Sequence, residues 1–143
     1  MGVEPPIQAL ASYAKLIFQN FPLAQIHPWA MLAAKYLDCL GRENNDAVWK
    51  FISTTYDHQG EVTEQNAEEK LKEYVKVSAG DPAAVSACAA KPETEKRVRE
   101  SIALGEKLNV NSTPTFFING RKVTGFANMP YDSVKAMVDY ELK

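Results

Sequence analysis

The side chains with the widest chemical range in this sequence are two cysteines, Cys39 and Cys88, and two histidines, His27 and His58. Cysteines and histidines together bind metals, and cysteines also exchange disulfides. The two cysteines are far apart in sequence and only two histidines could complete a ligand set, so we expect neither a metal nor another cofactor. Of the chemistry that these side chains could support, thiol and disulfide chemistry remains.

Composition limits the other classes of function. With 143 residues, 45% of them hydrophobic and 24% charged, the chain has the size of one globular domain. Its net charge is −2 and its basic residues are interspersed among acids, so we expect no nucleic-acid partner. The first residues have neither the basic start nor the apolar run of a secretion signal, and the apolar stretches are short. We therefore expect a soluble chain.

Most of the chain between residues 28 and 109 has the apolar spacing of helices. The first stripe runs from Pro28 and is expected to stop at Gly41. A threonine cap at Thr63 and an Asp81-Pro82 cap open later helices. The predicted helices cover residues 28–40, 46–56, 63–78, a short segment after Asp81 that holds Cys88, and 92–109.

The flanking segments are predicted to contain strands. Residues 15–19 form a β-branched and aromatic run typical of a buried strand, preceded by a short helix over residues 5–13. Near the other end, Asn119-Gly120 supplies the two positive-φ residues of a tight hairpin between strands at residues 115–118 and 122–124. An amphipathic helix is predicted over residues 131–142.

The run VNSTPTFFINGR, from Val110 to Arg121, resembles a segment of DsbA-like thioredoxin-fold oxidoreductases, which carry a Thr-Pro-Thr-Phe-type motif followed by Asn-Gly. Residues 18–23, FQNFPL, followed by His27-Pro28 and the helix that carries Cys39, resemble the second strand and first inserted helix of that family. The family includes domains fused to bacterial vitamin K epoxide reductase homologues.

The resemblance implies an α/β, thioredoxin-like fold with an inserted helical subdomain. A single domain over residues 1–143 is expected, with the insertion at about 28–109 and the C-terminal hairpin and helix at about 113–142. In the family the proline of the motif is cis. The resemblance therefore implies a substrate site at Thr113 and Pro114, where an extended peptide can add as a strand.

The same resemblance places Val3-Glu4-Pro5 a few residues after the family's Cys-x-x-Cys pair, which the sequence does not contain. Thiol–disulfide exchange needs an attacking thiolate and a resolving cysteine. We therefore expect an N-terminally truncated domain without its first strand and without catalytic residues, inactive as given. Glu4 is a candidate proton relay, or an exposed acid at a helix terminus.

For Cys39 and Cys88 three alternatives remain. Some DsbA-like proteins carry a second, non-catalytic disulfide between inserted helices at about these places, which implies an oxidising, periplasmic or otherwise extracytoplasmic compartment. The pair could instead be two buried, reduced cysteines. The third alternative, a catalytic role, conflicts with the poor accessibility of buried bridges.

The absence of the family's central strand suggests two forms of assembly. Strand 15–19 pairs directly with the hairpin, or a strand from a second copy fills the gap. The expected function is that of a domain of a protein-disulfide oxidoreductase acting on extracytoplasmic proteins. One alternative is a non-catalytic peptide-binding module, and another is a relative of kappa-type glutathione transferases or isomerases.

Overall fold

The computed structural model describes residues 14–123 and 128–142. The chain divides into two compact units. We call residues 19–107 the helical unit, and residues 1–18 with 108–143 the hairpin unit. The helices are α1 Ala30–Glu43, α2 Val48–Asp57, α3 Ala67–Val77, α4 Pro82–Ala89, α5 Pro92–Lys107 and α6 Tyr131–Glu141, and the strands are β1 Phe116–Ile118 and β2 Arg121–Val123.

In the helical unit, α1 packs against α2, α3, α4 and α5. Its apolar stripe meets the stripes of its neighbours, as the spacing predicts. The side chains buried most completely in this unit are Tyr36, Leu40, Phe51, Leu71, Val75, Val85, Val98 and Thr94. The core therefore lies along α1, the helix that carries Cys39.

The start of α4 is confirmed as predicted. Pro82 occupies its first turn, where no N–H is needed. The Asp81 carboxylate accepts hydrogen bonds from the N–H groups of Ala83 at 3.0 Å and Ala84 at 3.3 Å. This cap sets the start of α4, the helix that carries Cys88.

Two predicted helix boundaries differ from the observed ones by three residues or more. Helix α1 continues through Gly41 to Glu43. Glycine in a helix interior costs roughly 1 kcal/mol relative to alanine, and burial of the apolar stripe of this packed helix outweighs that cost. Helix α3 begins at Ala67 instead of Thr63. The Thr63 hydroxyl accepts from the Asn66 N–H at 3.2 Å, and the Asn66 side chain accepts from the Thr63 N–H at 2.7 Å, so these two residues close a turn before the helix.

The prediction of a buried strand at residues 15–19 is also wrong. These residues have no strand conformation, and Ile17 is 68% exposed. Among the described residues the sheet contains only β1 and β2, so the direct pairing considered above does not occur there. A strand without a partner leaves backbone groups unsatisfied, and four of the five residues in this segment are exposed. The predicted helix at residues 5–13 lies outside the described residues.

The predicted hairpin is confirmed. Strands β1 and β2 are antiparallel, with Phe116 opposite Val123 and Phe117 opposite Lys122. Asn119 and Gly120 have φ angles of 48° and 82°, as a two-residue turn requires. The inward face of the hairpin packs on α6, and the core of this unit contains Val123, Val134 and Val138 with Leu16, Phe116, Ile118, Met129 and Tyr131 against it.

Within the described parts of the chain, no helix is both long and apolar enough to cross a membrane.

Candidate functional site

The segment from Asn109 to Thr115, which we call the proline loop, leads into β1. The Thr113–Pro114 peptide bond is cis, as the resemblance implied. Both residues are exposed. The backbone N–H and C=O of Thr113 form no hydrogen bond with any residue in the ranges 14–123 and 128–142. This backbone is therefore available to a partner.

The loop closes on itself just before the hairpin. The Thr115 hydroxyl donates to the Ser112 carbonyl at 2.6 Å, which holds the chain on both sides of Thr113 and Pro114. A backbone N–H and C=O held in this way can pair with an extended polypeptide as in strand addition. Such pairing uses main-chain groups, so it makes few demands on the partner's sequence.

The second candidate site is the cysteine pair, which forms a disulfide. Cys39 of α1 and Cys88 of α4 are joined at an S–S distance of 2.07 Å, with their Cα atoms 6.0 Å apart. Cys39 is 2% exposed, whereas Cys88 is partly exposed. Neither cysteine therefore carries a free thiol in this structure.

Thr94 of α5 lies against both sulfur atoms. Its hydroxyl oxygen is 3.6 Å from the Cys39 sulfur and 3.7 Å from the Cys88 sulfur. The hydroxyl donates to the Cys88 carbonyl at 2.7 Å and accepts from the Arg97 guanidinium at 3.1 Å. Its one hydrogen is thus used, and a disulfide sulfur has none to give, so the sulfur contacts are packing contacts.

Arg97 connects this threonine to α1. Its guanidinium contacts the Asp38 carboxylate at 2.8 Å through Nε and at 2.7 Å through Nη2. Both side chains are mostly buried, and a charge-assisted pair of this geometry is stronger than an exposed one. Helices α1 and α5 are therefore held together by polar contacts next to the bridge.

A second polar cluster joins α1, α3 and α4. Glu68 accepts hydrogen bonds from the hydroxyls of Tyr36 and of Ser86, the latter at 2.7 Å. Burial raises the pKa of Tyr36, and the Glu68 carboxylate adds to this rise. Partial burial opposes ionisation of Glu68, but the two hydroxyl donors and Lys72 outweigh it and hold the pKa of Glu68 below its ordinary value. Tyr36 is therefore a neutral donor to an ionised carboxylate.

The remaining sequence candidates lie elsewhere. Glu4 is outside the described residues, so its predicted role as a proton relay stays a prediction. His27 lies beside Trp29, and the His58 ring hydrogen-bonds Glu61 at 2.9 Å. In the part of the chain that the structure describes, no three histidine, cysteine or acidic side chains are grouped so that they could hold a metal ion.

Sequence reasoning missed Thr94 and Arg97. Both follow Pro92 in the first turns of a surface helix, where threonine and arginine are ordinary residues. Only the packing of α5 against α1 brings them to the disulfide.

The chain is similar in sequence to several known proteins. The sequence model of a family described as thioredoxin matches residues 11–140. Disulfide bond formation protein D of Bacillus subtilis is 30% identical over 122 residues, which is 78% of this chain and 50% of that protein. Probable disulfide bond formation protein D of Bacillus anthracis is 28% identical over 132 residues, 90% of this chain and 58% of that protein.

The chain is also similar to part of a protein that is named as an antiporter. Na(+)/H(+) antiporter NhaA 1 of Salinispora arenicola is 26% identical over 129 residues, which is 88% of this chain but only 19% of that protein. No solved structure gives a significant match. The chain thus spans about half the length of the disulfide bond formation relatives and about a fifth of the antiporter.

These matches confirm the predicted α/β, thioredoxin-like fold and the DsbA-like resemblance. They do not favour the peptide-binding module or the glutathione transferase alternative. The matches do not bear out the expectation that the protein lacks the family's Cys-x-x-Cys, because the chain spans only part of each relative.

Proposed function

We propose, since this chain belongs to the thioredoxin family, that it is a domain of a DsbA-like protein-disulfide oxidoreductase and contributes the polypeptide-binding part of that activity. Two relatives are named as disulfide bond formation proteins, which gives the class of reaction. The proposed reaction is thiol–disulfide exchange with proteins outside the cytoplasm.

The proline loop is the observation that supports this proposal most strongly. Thr113 and Pro114 are exposed, and the Thr113 backbone has no hydrogen-bond partner in the described part of the chain. An unfolded polypeptide next to this backbone gains main-chain hydrogen bonds whatever its sequence. An enzyme that acts on many proteins needs this tolerance of sequence.

The bond between Cys39 and Cys88 has a structural role in this proposal. Exchange requires a thiolate to approach a sulfur atom, and the Cys39 side is closed by the core and by Thr94. A bond of this kind persists in an oxidising compartment, which is consistent with a periplasmic or otherwise extracytoplasmic location. The exchanging thiols are therefore not assigned to Cys39 and Cys88.

The test is an exchange assay with the natural gene product and a fluorescent dithiol peptide as substrate. The Thr113→Pro variant removes one backbone donor, so we expect kcat/KM to fall about tenfold, the worth of one hydrogen bond in the transition state. The Thr113→Val variant keeps both backbone groups, and its kcat/KM is expected to stay within about twofold.

Thermal unfolding of both variants serves as the control for folding. No catalysis by the natural protein above the uncatalysed rate would contradict the proposal. Equal losses in the proline and valine variants would show that the threonine side chain, and not its backbone, is the important group.

A further inference from the structure

Lys122 extends from the hairpin back to the start of the proline loop. Its ammonium group donates to the Asn109 carbonyl at 2.8 Å, across 13 positions of the chain. Lys122 lies opposite Phe117 in the hairpin register, so its backbone is fixed by the pairing of β1 and β2. The contact thus connects strand β2 to the residue where the loop begins.

Asn109 is a position where the loop needs such a contact. Its φ angle is 59°, in the left-handed region that costs most residues free energy and that asparagine tolerates better than most. The direction of the chain after this residue depends on that conformation. A donor on its carbonyl favours the observed orientation of the peptide group over alternatives.

The two ends of the loop are held by different side chains. Lys122 binds the first residue, and the Thr115 hydroxyl binds Ser112 at 2.6 Å near the last. Among the described residues, no other side-chain hydrogen bond reaches the proline loop. Thr113 and Pro114 lie within the second contact, between Ser112 and Thr115, and both residues are exposed.

We propose that Lys122 is a positioning residue for polypeptide binding, which acts by holding the proline loop in one conformation through the Asn109 carbonyl. The inference rests on the proposed function, because the bound polypeptide is the one assigned there to the Thr113 backbone. Lys122 is itself exposed, so its side chain contributes little to the core. A loop that is ordered before binding loses less conformational entropy when the polypeptide binds.

The test compares Lys122→Met, which removes the donor and keeps the chain length, with Lys122→Arg, which keeps a charged donor. Lys96→Met removes an equal charge from an exposed position on α5 and is the matched control. The probe is a fluorescent, unfolded polypeptide, reduced and carboxymethylated. We expect Lys122→Met to raise its Kd about fivefold to tenfold, with Lys122→Arg within about twofold of the wild type.

Backbone ¹⁵N relaxation in the absence of the probe gives the readout that a merely structural role does not produce. In Lys122→Met the order parameters of the amides at residues 110–113 and 115 should fall, while those of β1, β2 and α6 and the Tm stay unchanged. Lower order parameters throughout the hairpin with a lower Tm would overturn the inference, because Lys122 would then be a general stabilising residue.

The two proposals fail in different ways. If the wild type binds the probe and Lys122→Met binds it equally well, the inference is wrong and the proposed function stands. If the wild type does not bind the probe but Lys122→Met still loosens the loop, the positioning of the loop by Lys122 stands and the proposed binding site is wrong.

Discussion

At the scale of single residues, the main candidate for function is a piece of backbone. Thr113 offers an N–H and a C=O that bond to none of the described residues, while the side chains of Thr115 and Lys122 donate to Ser112 and Asn109 of the same loop. Recognition through main-chain groups suits a protein that acts on many unfolded partners. We therefore expect the backbone of residue 113 to be more important for binding than its side chain.

Removal of the Tyr74 hydroxyl is expected not to destabilise the protein. It is 5% exposed, and its hydroxyl is buried without a hydrogen-bond partner in the described part of the chain. Burial raises the pKa of Tyr74, so the group stays neutral, and its desolvation is uncompensated. We expect Tyr74→Phe to leave the free energy of unfolding unchanged or to raise it by about 1 kcal/mol, measured by urea denaturation.

Tyr36→Phe is the matched control, because the Tyr36 hydroxyl donates to Glu68. Its removal should lower the free energy of unfolding by about 1 kcal/mol. A loss of that size in Tyr74→Phe as well would indicate that the Tyr74 hydroxyl has a partner after all.

Some features of single residues could be predicted from the sequence, and others could not. The cis bond between Thr113 and Pro114 could be predicted because the motif around it is local and specific. Lys122 could not, since its bond to Asn109 depends on the hairpin register and on the path of a flexible side chain. Thr94 and Arg97 are similar cases, because they reach the disulfide only through the packing of two helices.

At the scale of elements, the sequence predicted most helices and the hairpin, but it placed several ends wrongly. The Asp81-Pro82 cap and the Asn119-Gly120 turn are local signals, and both predictions are confirmed. Gly41 was expected to end a helix that packing continues to Glu43. The segment at residues 15–19 has strand composition, but composition does not supply a partner strand.

Ala79 and Gly80 follow the end of α3, and substitutions at these two positions should change the free energy of unfolding in opposite directions. Ala79 has a φ of 66°, and a Cβ on Gly80 would lie 2.6 Å from Leu40 and 2.9 Å from Val75, two fully buried side chains. Ala79→Gly should raise the free energy of unfolding by about 1 kcal/mol, by relieving the left-handed alanine. Gly80→Ala should lower it by about 1–3 kcal/mol, through overpacking.

Urea denaturation of these two neighbouring variants measures both effects. Changes of the same sign in the two variants would contradict this description of the helix end.

At the scale of the whole molecule, the disulfide is the strongest single constraint on the unfolded chain. Cys39 and Cys88 are 49 positions apart, and in the chain-entropy model a loop of that length is worth about 4 kcal/mol. Reduction should therefore lower the Tm by roughly 8–16 °C for a chain of this size. Calorimetry with and without a reductant measures this shift, and the Cys39→Ala/Cys88→Ala variant should behave like the reduced protein.

The control is a count of free thiols in denaturant, which should give none before reduction. A Tm that does not change when the thiols become free would show that the bridge does not stabilise the fold.

Binding of polypeptides at the proline loop can be observed residue by residue in an NMR titration. With the ¹⁵N-labelled chain and a reduced, carboxymethylated polypeptide, we expect amide shifts concentrated at residues 112, 113 and 115. The amides of α1 and α4, next to the disulfide, should stay in place. Shifts centred on the helical unit, or no shifts in the loop at saturating polypeptide, would show that polypeptides do not bind at the proline loop.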